Sequence, residues 1–435
     1  MSGQFTAAET DPALTALRRA GASPQLLLHS GRAHSRWARR SLRAAPRAWF
    51  RAHAGGLCEL VDARDGKPLP AADRLTGHVF SDLAMLLADP QFSGGWLGYL
   101  SYDLGRLLEP GKLGPPDGAG SSWPLVELGW CPDMQTFPAP TEWAPPVAPV
   151  PAPAPPASWT CNFSDSAYRR AVSKVLDYIA AGDVFQVNLA RRLSGSWRGQ
   201  PRDLFARLAA ASPAWYGAYL ELPGGRVLCS TSPELFLEVD GDQVTTRPIK
   251  GTRPADVDPQ ELRDSEKDRA ELNMIVDLMR NDLGRVCDYG SVRVAEAREL
   301  ESHPTVHHTV ATIQGRLHKT KNMVDLLKAA LPGGSVTGAP KVRAMQIIDE
   351  LEPDPRGPYC GCIGYLSADH ALLNIAIRTI VLDPSADGGD DQWQASFSVG
   401  GGIVADSDPA AELQETTDKA QAMLRALGCD SDAGT

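Results

Sequence analysis

Along residues 164–183, "SDSAYRRAVSKVLDYIAAGD", apolar side chains recur at Tyr168, Val172, Val175, Leu176 and Ile179. That spacing lays one apolar stripe along a helix, which Ser164 or Asp165 caps and Gly182 stops. The period then changes. In "VFQVNLARRL", Phe185, Val187 and Leu189 alternate with Gln186 and Asn188, which predicts a strand carrying the two sets on opposite faces. The same two periods predict strands at 226–239, 291–296, 305–317, 372–382 and 393–399, and helices at 265–284, 323–331, 340–351 and 409–427. In "VTTRPIKGTRP" (244–254), Val244, Thr245, Thr246 and Ile249 favour one more strand, with a turn at Gly251. Several strands follow one another with no helix between them. This favours a largely antiparallel α+β fold over a doubly wound one.

The clearest break in the pattern is a proline-rich run at 138–158, an extended connector that can form neither helix nor central strand. It divides the chain into an N-terminal part, 1–137, and a larger part, 159–430. No apolar run reaches the ~20 residues of a membrane span, and the N-terminus lacks the basic-then-apolar order of a signal peptide. A net charge of −10 argues against nucleic acid as a partner. One basic stretch, "GRAHSRWARRSLRAAPRAWFR" (31–51), reads as a solvated face. The eight cysteines are scattered, and Cys360 and Cys362 form a C-x-C with no second pair, so the expectation is a soluble cytoplasmic protein with reduced thiols.

Chemistry enters at a few places, each with a plainer alternative. Lys250 is expected where a strand ends, either as a surface lysine or as a nucleophile with a desolvated amine. The 265–284 helix carries Asp268 and Glu271 on or beside its apolar stripe, and the C-terminal helix carries Glu412, Glu415 and Lys419 along one side. Two acidic pairs on two helices can hold a hard cation such as Mg²⁺, although Glu415 and Lys419 also have the spacing of an ordinary i,i+4 pair. "PGGSVTGAPK" resembles a Walker A loop in the separation of Gly333 and Gly338, but Ala-Pro-Lys follows them. It therefore reads as carboxylate-binding or structural. "VGGGIVADSD" (399–408) is a second place where backbone can approach a ligand closely. His308 shares a strand face with Val306 and Val310, as a core histidine or a catalytic one. Arg378, in an apolar strand, needs an anion, either a structural Asp or a substrate carboxylate.

Taken in order, "GDVFQVNLARR", "STSPELF", "RPIKGTRP", "DRAELNMIVDLMRNDLGRV", "VHHTVATI", "GGSVTGAPKVRAMQIIDELEP", "GPYCGCIGYLS", "IAIRT" and "VGGGIVADSDPAAELQETTDKA" resemble the chorismate-utilising enzymes. That family includes anthranilate, isochorismate, salicylate and aminodeoxychorismate synthases. A weaker likeness extends to "QLLLHSGR" and "GGWLGYLSYDLGR". The resemblance implies two facing, largely antiparallel sheets flanked by helices. It implies Glu271 and Glu415 as the main Mg²⁺ ligands, with Asp268 and Glu412 in support. It puts Thr252, Tyr365, Arg378, Lys419 and the backbone of Gly400, Gly401 and Gly402 on the substrate, with Ser335 and His308 close to its ring. Glu234 corresponds to the acid that helps the C4 hydroxyl leave.

Members that add water at C2 carry a lysine where this chain has Gln186, and anthranilate synthases read "PIAGT" where this chain reads "PIKGT". The resemblance thus implies amination of chorismate at C4, with Lys250 as a covalent nucleophile, giving the precursor of 4-aminobenzoate and folate. The anthranilate branch is the alternative, and a catalytically dead scaffold subunit is a more distant one. No G-x-C-x-G nucleophile elbow is present, so a separate glutamine amidotransferase subunit is expected to supply ammonia.

Overall fold

The computed structural model describes residues 11–34, 36–115, 123–141, 159–385 and 391–429. Its strands build two large sheets whose ladders are antiparallel. The first has ten strands, in the order Gly338–Ala339, Gln186–Arg198, Gln392–Ile403, Thr379–Pro384, Val227–Ser232, Tyr216–Glu221, Leu26–His29, Arg40–Ala44 and Gln135–Pro138, with Trp159–Cys161 also paired to Gln186–Arg198. The second has eleven: Ile249–Pro254, Val306–Arg316, Gln243–Arg247, Leu235–Asp240, His370–Ile375, Cys362–Leu366, Trp96–Leu100, Val126–Trp130, Ala48–Ala52 and Cys58–Asp62, with Arg293–Ser302 on Val306–Arg316. Residues of the N-terminal part therefore extend both sheets. The proline-rich connector lies outside the described residues from 142 on, and Pro138 closes the strand paired with Arg40–Ala44.

The sheets face each other across an apolar layer in which Leu26, Leu28, Ala218, Leu220 and Leu228 of the first meet Leu97, Tyr99 and Ile363 of the second. Helices cover the outer faces. Pro201–Ala211 and Pro409–Leu427 bury Leu204, Phe205, Leu208, Met423 and Leu424 against the first sheet. Glu266–Gly284 and Met323–Ala330 bury Leu272, Ile275, Met279, Leu326 and Leu327 against the second. This is the expected α+β architecture. Glu266–Gly284, Met323–Ala330 and Pro409–Leu427 are helices the spacing predicts, whereas Pro201–Ala211 is one it does not. Asp165–Ala180 starts at Ser164, whose side chain accepts the amide of Ala167. Pro409–Leu427 stops at Gly428, which takes φ 86° as a left-handed cap.

Where sequence and structure differ, a predicted strand is broken by a corner. The run 226–239 becomes Val227–Ser232 in the first sheet and Leu235–Asp240 in the second, because Pro233 cannot donate to a ladder. Glu234 sits at that crossing. The run 372–382 becomes His370–Ile375 in the second sheet and Thr379–Pro384 in the first, with Arg378 at the corner at φ 49°. Arg378 is therefore not inside a strand. Pro248 likewise splits 244–254 into Gln243–Arg247 and Ile249–Pro254. Lys250 is not at a strand end. It stands beside a bulge, where the register against Val306–Arg316 shifts between Lys250 and Thr252 and Gly251 takes φ 81°.

The arginines of the basic stretch 31–51 are largely solvated, as expected, with Arg32, Arg36, Arg39, Arg40 and Arg47 exposed, but the stretch is more than a surface. It supplies two strands, and Trp37 is buried with the guanidinium of Arg247 4.3 Å from its ring centre. Arg36 reaches Glu296 at 2.7 Å. Among the described residues, no helix is long and apolar enough to cross a membrane.

Candidate active site

At one end of the sandwich the space between the sheets is polar. Val187 and Leu189 turn outward onto the helices Asp165–Ala180 and Lys341–Leu351, which leaves Gln186 and Asn188 to face inward, buried. Phe185 does not share the core with Val187 and Leu189: it precedes the strand and is 70% exposed.

The glycine run at 400–402 forms one wall. A Cβ on Gly401 would stand 2.9 Å from Glu412 Oε2 and 3.6 Å from Glu415 Oε1. One on Gly402 would stand 3.0 Å from both Lys250 Nζ and Gln186 Nε2. Only glycine leaves that space open.

Lys250 comes from the opposite sheet. Its Nζ has a long contact of 3.5 Å to the Ser335 carbonyl. Burial pushes its amine below the ordinary lysine range, against the pull of Glu271 and Glu234, and Lys419 adds to the depression. Glu234 lies behind it. Its Oε1 accepts the Ser335 hydroxyl at 2.5 Å. Burial pushes this carboxyl up to about 7, although Ser335 and Lys250 draw it down. A carboxyl raised into the neutral range and a depressed amine thus meet around one serine loop.

His308, also buried, pairs its Nδ1 with Thr252 Oγ1 at 2.8 Å, and its Nε2 has no partner. Burial, with help from the nearby Arg378 charge, holds this imidazole well below its usual range, hence neutral at pH 7. Arg378 donates to Ser212 Oγ at 3.2 Å. Burial lowers its guanidinium to about 10, and among the described residues no carboxylate pairs with it. Of the two partners weighed from sequence, the structural Asp is not there.

The acids come from two helices. Glu271 is raised by burial, offset by Lys250 and Lys267. Burial would also raise Glu415, but Lys419, at 2.6 Å, overrides it and holds the carboxyl below its ordinary range. Lys419 therefore does form the i,i+4 pair, and it also donates to the Gly400 carbonyl at 2.8 Å. Asp268 is engaged by Arg253 at 3.0 Å. Glu412 accepts Ser407 Oγ on Oε1 at 2.6 Å, while its buried Oε2 is unpartnered.

Among the described residues, no three His, Cys, Asp or Glu side chains lie close enough to hold a metal by themselves. The donor set nonetheless fits Mg²⁺, which takes one or two carboxylates and completes its shell with water and ligand oxygens. Glu271 and Glu415 would supply those carboxylates, and the buried Glu412 Oε2 is an acceptor without a partner.

Tyr365 is not brought to this cleft. Its hydroxyl donates to the Gly94 carbonyl at 2.8 Å, beside a shallow cavity of about 420 Å³ lined by Leu87, Asp89, Ser93 and His370. Its expected place on the substrate is corrected accordingly. Gln186 lies where the sequence reading places it, on the face opposite Val187 and Leu189, but its burial beside Lys250 was not foreseen. Its signal was a glutamine alternating with valine and leucine in a strand covered by helices, which means a polar side chain buried for a reason. A cavity of about 1110 Å³ lies away from the cleft, but Arg18, Arg202 and Arg226, which line it, are paired with Asp203, Glu221 and Glu127.

Residues 63–425 match the family model of chorismate binding enzymes. The chain therefore belongs to that family. It is 42% identical over 92% of its length to aminodeoxychorismate synthase component 1 of Klebsiella aerogenes, covering 93% of that protein. It is 39% identical over 84% of its length to anthranilate synthase component 1 of Streptomyces coelicolor, covering 78% of it. Among solved structures, anthranilate synthase component I from Streptococcus pneumoniae superposes with a TM-score of 0.73 at 28% identity, covering 97% of this chain and all of that one.

Proposed function

We propose that this chorismate-utilising enzyme aminates chorismate at C4, as the synthase component of an aminodeoxychorismate synthase. The observation that carries the reading is that the buried Lys250 amine and the buried Glu234 carboxyl meet at one residue, Ser335, whose carbonyl lies 3.5 Å from Lys250 Nζ and whose hydroxyl donates to Glu234 at 2.5 Å. In the first step Lys250 Nζ forms a bond to ring carbon C2, the ring electrons shift, and the C4–O bond breaks. The hydroxyl leaves as water with the Glu234 proton. Ammonia then bonds to C4, the electrons return, and the C2–N bond to Lys250 breaks. Glu234 recovers its proton from the new ammonium group, so chorismate and ammonia give 4-amino-4-deoxychorismate and water. Arg378, Lys419 and the glycine wall offer charge and backbone donors to the substrate carboxylates, and neutral His308 with Thr252 borders the ring. Glu271 and Glu415 would hold Mg²⁺, backed by Glu412 and Asp268; when bound, it supplies positive charge to a ring carboxylate.

The likeness to anthranilate synthase component 1 supports a second reading, amination at C2 with loss of pyruvate. Incubating the purified chain with chorismate, Mg²⁺ and an ammonium salt separates the two by product.

Relatives named component 1 suggest a second component. We expect glutamine alone to give no product and a cognate glutamine amidotransferase to restore turnover. Product from glutamine with the single chain would refute this division of labour.

Glu234 sets the upper limb of the pH dependence. Its carboxyl titrates near about 7 and acts as the acid, so the active form prevails below that pH. Lys250 must shed its proton while Glu234 keeps its own, so at constant free-ammonia concentration kcat/KM should rise with Lys250 deprotonation and stop rising once pH passes about 7. Glu234→Gln should cost roughly 10²–10⁴-fold in kcat, the range for a general acid. A rate that climbs steadily to pH 9 in the wild type would remove Glu234 from that role.

A further inference from the structure

We infer that Gln186 positions the Lys250 amine, an inference that rests on the lysine chemistry proposed above. Gln186 opens the strand Gln186–Arg198 and is fully buried. Neither its amide oxygen nor its amide nitrogen has a hydrogen-bond partner. A buried amide left unpaired is destabilising, and an apolar side chain of the same shape would be the more stable choice. The amide is kept for something that sits beside it.

Lys250 is what sits there. The point 3.0 Å from Gln186 Nε2, where Gly402 would carry a Cβ, is also 3.0 Å from Lys250 Nζ. The two side chains border one space, and any residue other than glycine at 402 would fill it. Lys250 has spare donors, since its contact to the Ser335 carbonyl is long at 3.5 Å. Turned about its last bond, the Gln186 amide offers Oε1 to that space, placing an acceptor opposite a donor instead of two donors together.

A neutral acceptor suits this position. Glu234, Glu271 and Glu415 already draw the amine toward its charged form, and Lys419 opposes them. Another carboxylate would add to that pull. An amide oxygen takes one N–H and leaves the lone pair aimed.

Q186M keeps a buried side chain of similar length and removes both amide atoms. In ammonia-dependent turnover, kcat should fall roughly 10²-fold, the scale of misplacing a reacting group by about 1 Å. Chorismate affinity, read by intrinsic fluorescence, should not change. Labelling of Lys250 by a mechanism-based analogue should slow in step with kcat. The Tm should change little, because the bond lost with Lys250 is offset by removing a buried amide N–H that has no partner.

Wild-type kcat in Q186M overturns the inference. So does a weakened chorismate affinity that accounts for the whole defect, or a lowered Tm that accompanies the loss. If the wild type itself forms no 4-aminated product, the lysine reading fails and this inference with it. A productive wild type beside a fully active Q186M rejects this inference alone.

Discussion

Lys250→Ala should bind chorismate and fail to aminate it. Deleting an activated nucleophile removes an entire route, so at low ammonia we expect a fall of more than about 10³-fold in kcat. The argument starts from the proton. A lysine with an ordinary pKa near 10.4 is a free amine in only roughly one molecule in 2,500 at pH 7. Each unit of depression raises that fraction about tenfold. Burial depresses Lys250, with Lys419 adding like charge, while Glu271 and Glu234 hold the shift in check. The cleft thus tunes the amine while leaving Arg378 and the glycine wall to hold the substrate. Truncation to Ala leaves those carboxylate contacts alone, so affinity should survive while chemistry does not. Residual turnover, if it occurs, should be first order in ammonia and should not saturate, because ammonia then attacks the ring directly. On the wild type, a lysine-trapping analogue should label the peptide from Thr245 to Arg253. Wild-type rates in the Ala variant, or a label on another residue, would return Lys250 to an ordinary lysine beside a bulge.

Much of the fold could be read from local pattern, and what could not was non-local. The helices Glu266–Gly284, Lys341–Leu351 and Pro409–Leu427 lie within a residue or so of their predicted limits, because amphipathic spacing and caps are local. The corners at Glu234 and Arg378 escaped notice because an apolar run looks the same whether it stays in one sheet or crosses to another. Only the pairing partners distinguish Val227–Ser232 from Leu235–Asp240, and those partners are remote in sequence. The same blindness affected the site. Glu234, Lys250 and Ser335 are scattered along the chain, and they meet because a sheet crossing, a bulge and the short turn Gly334–Val336 aim them at one space. Motif resemblance found them where spacing could not. It also carried Tyr365 along, whose hydroxyl the structure commits to Gly94 instead. Charge pattern was a fair guide at 31–51, where Arg32, Arg39, Arg40 and Arg47 are exposed, but it gave no sign of the two strands there or of Trp37 buried against Arg247.

Glu271→Gln and Glu415→Gln should each stop turnover while leaving a folded protein, and the two measurements together separate a metal site from a structural one. Glu271 is a buried carboxyl whose charged form burial opposes. Replacing it by the isosteric amide relieves that cost, so its Tm without ligands should not fall and is expected to rise. A structural ion pair would behave the other way. Glu415 differs: it is held charged by Lys419 at 2.6 Å, so its amide variant loses that pair. Because both side chains of the pair are half-exposed in the open cleft, the loss in stability should be small, of the order of 0.5 kcal/mol. Activity should fall in both by at least about 10³-fold, equivalent to about 4 kcal/mol of lost transition-state charge stabilisation. Binding provides the independent readout. In the wild type, Mg²⁺ added with chorismate should raise Tm by linkage, and each variant should lose that increment. Excess EDTA should abolish wild-type turnover, and added Mg²⁺ should restore it. Full activity in EDTA, or in either variant, would leave Glu271 and Glu415 as two acids that merely keep Lys250 in balance.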